Sequence, residues 1–193
     1  MTDRGLAIGV VMVAATGACV GNIGDGSPGG ADPATQGMCA DGSVRVAPAP
    51  LRRLTSREYD HVVRDVFGDD SAPGRAFVDE SVAGFASNAV APITVEQLMQ
   101  YRDAAEAVAA NAVANALPGW VDCDVAETAC VAPLLSSLAK RAFRRPADAE
   151  TESALVDLYE SGRESWGAAK GVELALQGIL MAPQFLYHVE GTR

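Results

Sequence analysis

Cations are scarce in this chain. Fifteen Lys and Arg stand against 25 Asp and Glu, a formal net charge of −10. A nucleic-acid partner needs a basic footprint, so that class is excluded. The same charge repels an anionic membrane face, so any attachment to a bilayer must come from elsewhere than a polybasic patch. Aromatic residues make up only 6% of the chain while Ala abounds, which favours close-packed helices over a β-sandwich. No alternating run of β-branched residues occurs, so strands should be few. No apolar run reaches the ~20 residues that a helical span of the bilayer requires.

The chemistry-bearing residues are equally thin. The two histidines are His61 and His188. His61 falls off the apolar stripe of its segment and reads as a surface or rim residue. Ser136, Ser137 and Ser165 have no neighbouring His and acid, so a hydrolase triad finds no support. Cys39, Cys123 and Cys130 lack nearby histidines and the spacing of a zinc site. Asp69–Asp70 and Asp79–Glu80 lack calcium-loop spacing and read as solvated acidic turns. The residues therefore nominate no catalytic group, no metal site and no cofactor for this chain.

What is present begins at the N-terminus. Residues 6–15 are apolar, the small pair Gly17–Ala18 follows, and then Cys19. This is the pattern of a bacterial lipoprotein signal peptide over residues 1–18, with Cys19 as the lipidated residue. Each buried methylene contributes ~0.8 kcal/mol, so several acyl chains would anchor the protein firmly. Val20 in place of Asp favours delivery to the outer membrane of a Gram-negative cell. The expected location is extracytoplasmic and lipid-anchored. Residues 19–50 are rich in Gly, Pro, Ala and Asp and read as a tether with a reach of ~30 Å.

Export places the remaining cysteines in an oxidising compartment. Cys123 and Cys130 are the expected disulfide, stapling a short loop at roughly 2–3 kcal/mol. The alternative joins Cys39 to one of them.

Beyond the tether the pattern is helical. Thr55 and Glu58 form a capping-box pair, and Tyr59, Val62, Val63, Val66 and Phe67 then share one helical face before Gly68. Residues 69–93 read as an irregular connection whose Phe77 and Phe85 dock on the core. Thr94 and Gln97 open a second helix, which carries Leu98, Tyr101, Ala105, Val108 and Ala112 inward and stops at Pro118–Gly119. A third helix is predicted from about Ala132 to Phe143, with Pro133 in its first turn. A fourth starts after Asp148, buries Leu155, Val156, Leu158 and Tyr159, and stops near Gly162. A fifth starts at Ser165 and buries Trp166, Ala169, Val172, Leu176, Ile179 and Leu180. The fold class is mainly α: a helical bundle, or two packed helical subdomains, after the tether.

Two cationic groups interrupt the acidic background. Arg52 and Arg53 precede the first helix, where an anion would be welcome. The simpler reading is a charged helix face with i,i+4 pairs such as Asp60 to Arg64. Lys140, Arg141, Arg144 and Arg145 sit at a helix C-terminus, where cations meet the negative end of the dipole. Internal bridges to acidic neighbours are the simpler reading there. Arg52, Arg53, Arg144 and Arg145 are the candidates for contact with an anion or a partner. Phe185, Leu186 and Tyr187 would form an exposed apolar patch if nothing followed them.

Three stretches resemble a known group. Residues 50–59 with 63–68 resemble an "LRRLTxxEYxxxVRDLxG" opening. Residues 139–146 resemble "RRAFRRP", and residues 179–190 resemble "ILxSPxFLYRxE". In this order they resemble the extracytoplasmic multidomain proteins of planctomycetes and myxobacteria built from PSD-type domains of unknown function. The resemblance implies a helical domain over 51–120 and another over 121–193, the latter ending in a truncated join to a next domain. It also implies a later domain carrying a CxxCH haem-attachment motif, which this chain does not contain. The expected role is a structural or docking module for a haem-carrying or other partner domain. The alternative is the N-terminal fragment of a cell-surface oxidoreductase or hydrolase whose active site lies on a missing segment. Expected partners are the membrane through the lipid, and a protein or further C-terminal domains.

Overall fold

Thr55 and Glu58 open the first helix as their spacing predicts. The Thr55 hydroxyl accepts from the Glu58 amide, and the Glu58 carboxylate accepts from the Thr55 amide at 2.9 Å. The computed structural model describes residues 51–82, 84–89 and 92–188. The readings of the signal peptide, Cys19, the tether and Cys39 lie outside the described residues. Helix α1 spans Ser56–Phe67 and ends on Gly68, whose φ of 71° closes it in a left-handed cap. Tyr59, Val63, Val66 and Phe67 are buried on its inner face.

The connection that follows is more ordered than an irregular loop. Pro73–Ala76 forms a 3₁₀ turn, and β2 (Ser81–Val82) pairs antiparallel with β3 (Phe85–Ala86). Phe77 docks as expected, with its ring centroid 4.9 Å from Tyr59 and 4.5 Å from Tyr101. Phe85 does not: it is 75% exposed. Its neighbour in β3, Ala86, is exposed as well, so the hairpin tip stands clear of the core.

Helix α2 spans Val95–Asn115 behind a second capping box, Thr94 with Gln97. Its buried side is built mostly of Ala104, Ala105, Val108, Ala109 and Ala112, small enough to let a neighbouring helix approach closely. The buried stripe begins only at Tyr101, so Leu98 in the preceding turn is exposed, against expectation. Pro118 and Gly119 lie inside a short helix, α3 (Leu117–Trp120), where Pro occupies the first turn and loses no hydrogen bond.

Helix α4 spans Thr128–Phe143 and starts four residues ahead of the predicted position, so Pro133 sits within it rather than at its first turn. The early start follows from tethering. Cys123 is bonded to Cys130 with the Cα atoms 5.9 Å apart, and Cys130 donates its amide to the Glu127 carbonyl at 2.9 Å. The stapled loop is further held by the Tyr159 hydroxyl, which donates to the Val125 carbonyl at 2.6 Å, and by Thr128 against Glu160.

Helix α5 spans Ala149–Trp166, with Asp148 accepting from the Thr151 amide at 2.8 Å as its cap. It runs past Gly162 instead of stopping there. Gly162 is a crossing point: it faces Gly171 of helix α6 (Ala168–Met181). Gly167, at φ 91°, makes the break between the two helices. Ser165 therefore belongs to α5. Trp166 is its last residue and is 70% exposed, and Ala169 is exposed as well. The buried face of α6 begins at Gly171 and Val172 and continues through Ala175, Leu176, Ile179 and Leu180.

The last described segment folds back on the first. After α7 (Pro183–Leu186), β4 (Tyr187–His188) pairs antiparallel with β1 (Arg52–Arg53), placing Arg52 opposite His188 and Arg53 opposite Tyr187. Leu54 donates its amide to the Leu186 carbonyl at 2.8 Å. Phe185 is fully buried, edge-on to Tyr59 and Phe67. The expected apolar patch at Phe185 and Leu186 is thus core. Helix α6 lies at the centre, packed by α2, α4 and α5, while α1 meets α4. The described residues are mainly α and share one core, to which the 51–120 and 121–193 segments both contribute. Among them no helix is long and apolar enough to cross a membrane.

Candidate functional site

Two neighbouring arginines leave β1 with different fates. Arg52 donates both terminal nitrogens to Glu58, at 2.8 and 2.9 Å, a bidentate pair on the surface. These bonds, with the Thr55 contacts, hold the Glu58 carboxyl down to about 2, against a burial effect that raises it. Arg53 is buried at 2% exposure. It meets Glu80 at 3.5 Å and Gln97 at 3.1 Å, so the N-cap partner of α2 is also held by β1.

The hairpin completes this network. Asn88, buried at φ 51°, donates to the Leu54 carbonyl at 2.9 Å and to Asp79 at 2.7 Å, and accepts from the Glu80 amide at 2.7 Å. Asp79 in turn accepts from the Ser56 amide at 3.0 Å. Asp79 and Glu80 are therefore structural anchors and not solvated turn residues. Asp69, read the same way, is buried and accepts from the Ser71 amide. Asp60 receives the Gly74 amide at 2.6 Å, and Arg64 meets its neighbour Asp65, so the expected Asp60–Arg64 pair does not form. His61 is exposed and lines a shallow surface depression with Arg57, Glu58 and Phe85.

The second cationic group has a different environment. Arg141 donates to the Asp65 carbonyl at 2.5 Å, and Arg144 reaches the Phe185 carbonyl at 3.5 Å. Lys140 and Arg145 make no hydrogen bond or ion pair with the described residues, although Asp148 feels the Arg145 charge. None of the four forms an ion pair with a carboxylate of the described residues, so the expected internal bridges are not seen among them. With Ser137 and Pro146 they line an open concavity of about 490 Å³. Arg144 ends α4 at φ 60°, in the left-handed region. Burial pulls its pKa down; the Glu58 charge opposes this and the Arg52 charge adds to it. Arg52, Glu58 and Arg144 are thus electrostatic neighbours, and the three motif stretches meet where Arg144 approaches both Glu58 and the Phe185 carbonyl.

Sequence reasoning had grouped these arginines by position along the chain. It missed Asp79, Glu80, Asn88 and Gln97 as their partners, because each partner lies on a different element and no local spacing announces it. The Cys123–Cys130 pair is present. Among the described residues no group of three His, Cys, Asp or Glu could hold a metal ion. Covalent haem attachment does not fit these residues either: Cys123 and Cys130 are bonded to each other, and neither His61 nor His188 follows a cysteine pair.

Two family models match the chain. PSD3, a protein of unknown function (DUF1587), matches residues 52–114, and PSD5, a protein of unknown function (DUF1595), matches residues 130–190. The first covers β1 through α2, and the second α4 through β4. Together they support a PSD-type domain family. No curated protein and no solved structure matches the chain.

Proposed function

We propose that this chain, with its two PSD-type stretches, is a lipid-anchored docking module of the cell envelope. In this reading residues 1–18 direct export, Cys19 carries the lipid, and residues 19–50 hold the helical body off the outer membrane. The body then presents a face to a partner protein or domain. A haem-carrying redox domain is the partner that the resemblance implies.

The observation that carries the docking role is the concavity at the end of α4, where Lys140, Arg141, Arg144 and Arg145 gather without a carboxylate partner among the described residues. In a chain of net charge −10, a local reversal of sign with no carboxylate ion pair among the described residues suits recognition. Radioactive palmitate labelling of cells producing the chain, with Cys19→Ser as control, tests the anchor. Label is expected in the parent only, and equal label in both would reject it. Crosslinking in intact cells tests the docking role through the appearance of a defined higher-mass species containing the chain.

A further inference from the structure

We infer that the concavity at the end of α4 seats an acidic peptide segment of a partner protein. This rests on the docking reading above and gives its partner a chemistry. Arg141 and Arg144 are held in place by the carbonyls of Asp65 and Phe185, and neither forms an ion pair with a described carboxylate, although the Glu58 charge is felt at Arg144. Each keeps donors for an incoming acceptor, and a planar fork of donors matches a carboxylate in two-point geometry.

The helix dipole is the competing account of these charges. It favours cations in the last turn, which accounts for Lys140 and Arg141. It also favours the charge of Arg144 at the cap and Arg145 just past it, but it does not explain why Arg144 takes the cap conformation. A left-handed cap is where Gly is free of strain and a side chain costs ~1 kcal/mol, yet an arginine occupies it. The side chain supplies what Gly cannot: it reaches the Phe185 carbonyl and lines the hollow with its guanidinium.

Shape and charge choose the ligand. The hollow is concave and lined by Ser137 and Pro146 as well as its four cations, whose stems carry aliphatic surface. An extended segment can place carboxylates on the guanidinia while its backbone crosses that surface. A bilayer surface is flat and would bring its anionic headgroups against a body of strongly acidic net charge.

The test uses the full chain in neutral detergent and a fluorescein-labelled peptide of alternating Glu and Gly, read by anisotropy. The matched Gln–Gly peptide, inorganic phosphate and phosphatidylglycerol vesicles serve as competing probes. The Glu peptide should bind, weaken with salt, and bind about tenfold or more weakly to Lys140→Glu/Arg145→Glu. Neither of those two residues bonds within the described fold, so the variant should keep its circular-dichroism spectrum. Arg102→Gln on α2 should bind like the parent. Equal binding of the Glu peptide by the parent and the double variant would overturn the inference. So would displacement by phosphate as effective as by unlabelled Glu peptide, which marks a small-anion site. Vesicle binding that depends on Lys140 and Arg145 while the peptide fails would do the same. Crosslinking separates the two levels. A species formed by the parent and by the double variant leaves the docking reading standing and removes the acidic segment. No species from either removes the docking reading itself.

Discussion

Gly162 and Gly171 face each other at the crossing of α5 and α6. A Cβ on Gly162 would lie 2.8 Å from the Gly171 Cα, and one on Gly171 would lie 2.5 Å from the Tyr159 carbonyl oxygen. Both obstacles are backbone, so neither can swing aside.

Gly171→Ala should therefore destabilise the protein. Helix propensity alone would favour Ala by ~1 kcal/mol. Overpacking against a rigid backbone costs ~1–3 kcal/mol and should win by the upper part of that range. Gly119→Ala is the control, since nothing lies within 4 Å of its added Cβ, and it should be neutral or mildly stabilising. Urea unfolding of the two variants compares them. A Gly171→Ala midpoint at or above the parent's would contradict the close crossing.

The bond from Arg52 to Glu58 makes stability depend on pH in a defined direction. The folded carboxyl sits at about 2, below the ordinary 4.5, so the folded state favours the ionised form. The contribution is fully present above pH 4.5 and drains away as pH falls toward 2. Because the pair is partly solvated, it amounts to ~1 kcal/mol or less. Glu58→Gln should lower stability at neutral pH by a similar amount and flatten the acid limb between those values. An unchanged acid limb, followed by thermal melts across pH, would assign the sensitivity to another group.

Asn88 answers a question that Ala and Gly can separate. Asn88→Gly keeps the positive φ but strands the Glu80 amide and the Leu54 carbonyl, at ~2–3 kcal/mol. Asn88→Ala adds the left-handed penalty of ~1 kcal/mol. Ala should melt lower than Gly. The reverse order in calorimetry would mean that the hairpin relaxes out of that conformation.

Reduction of the Cys123–Cys130 disulfide should lower stability by ~2–3 kcal/mol, the loop entropy for its sequence separation of 7. The double Ala variant should match the reduced parent and be insensitive to dithiothreitol. The first turn of α4 should lose amide protection before α6 does, which hydrogen exchange can follow.

Local signals carried most of the helices. The capping boxes at Thr55 and Thr94 and the Asp148 cap are written within four residues, and the structure uses each one. Where two local readings competed, geometry beyond the segment chose between them. Pro133 suggested a later start for α4, but the disulfide fixes an earlier one. Gly162 looked like a stop because a helical Gly usually costs stability. Its role is visible only once α6 is laid across it. The fate of Phe185 and the partners of Arg53 depend on β4 returning to β1, a pairing across 134 residues by the register of Arg53 and Tyr187 that no periodicity encodes. The same holds for the α4 cations: the sequence shows four positive charges, and only the fold shows which carbonyls hold them.

The pairing of β1 with β4 has a mechanical consequence. Arg52 and His188 are opposite one another in an antiparallel ribbon of two residues a side. Tension applied between the chain before Arg52 and the chain beyond His188 would peel this ribbon open one rung at a time, where a shearing pull would load all rungs together. The clasp would yield at low force, while the helices behind it feel little strain until it has parted.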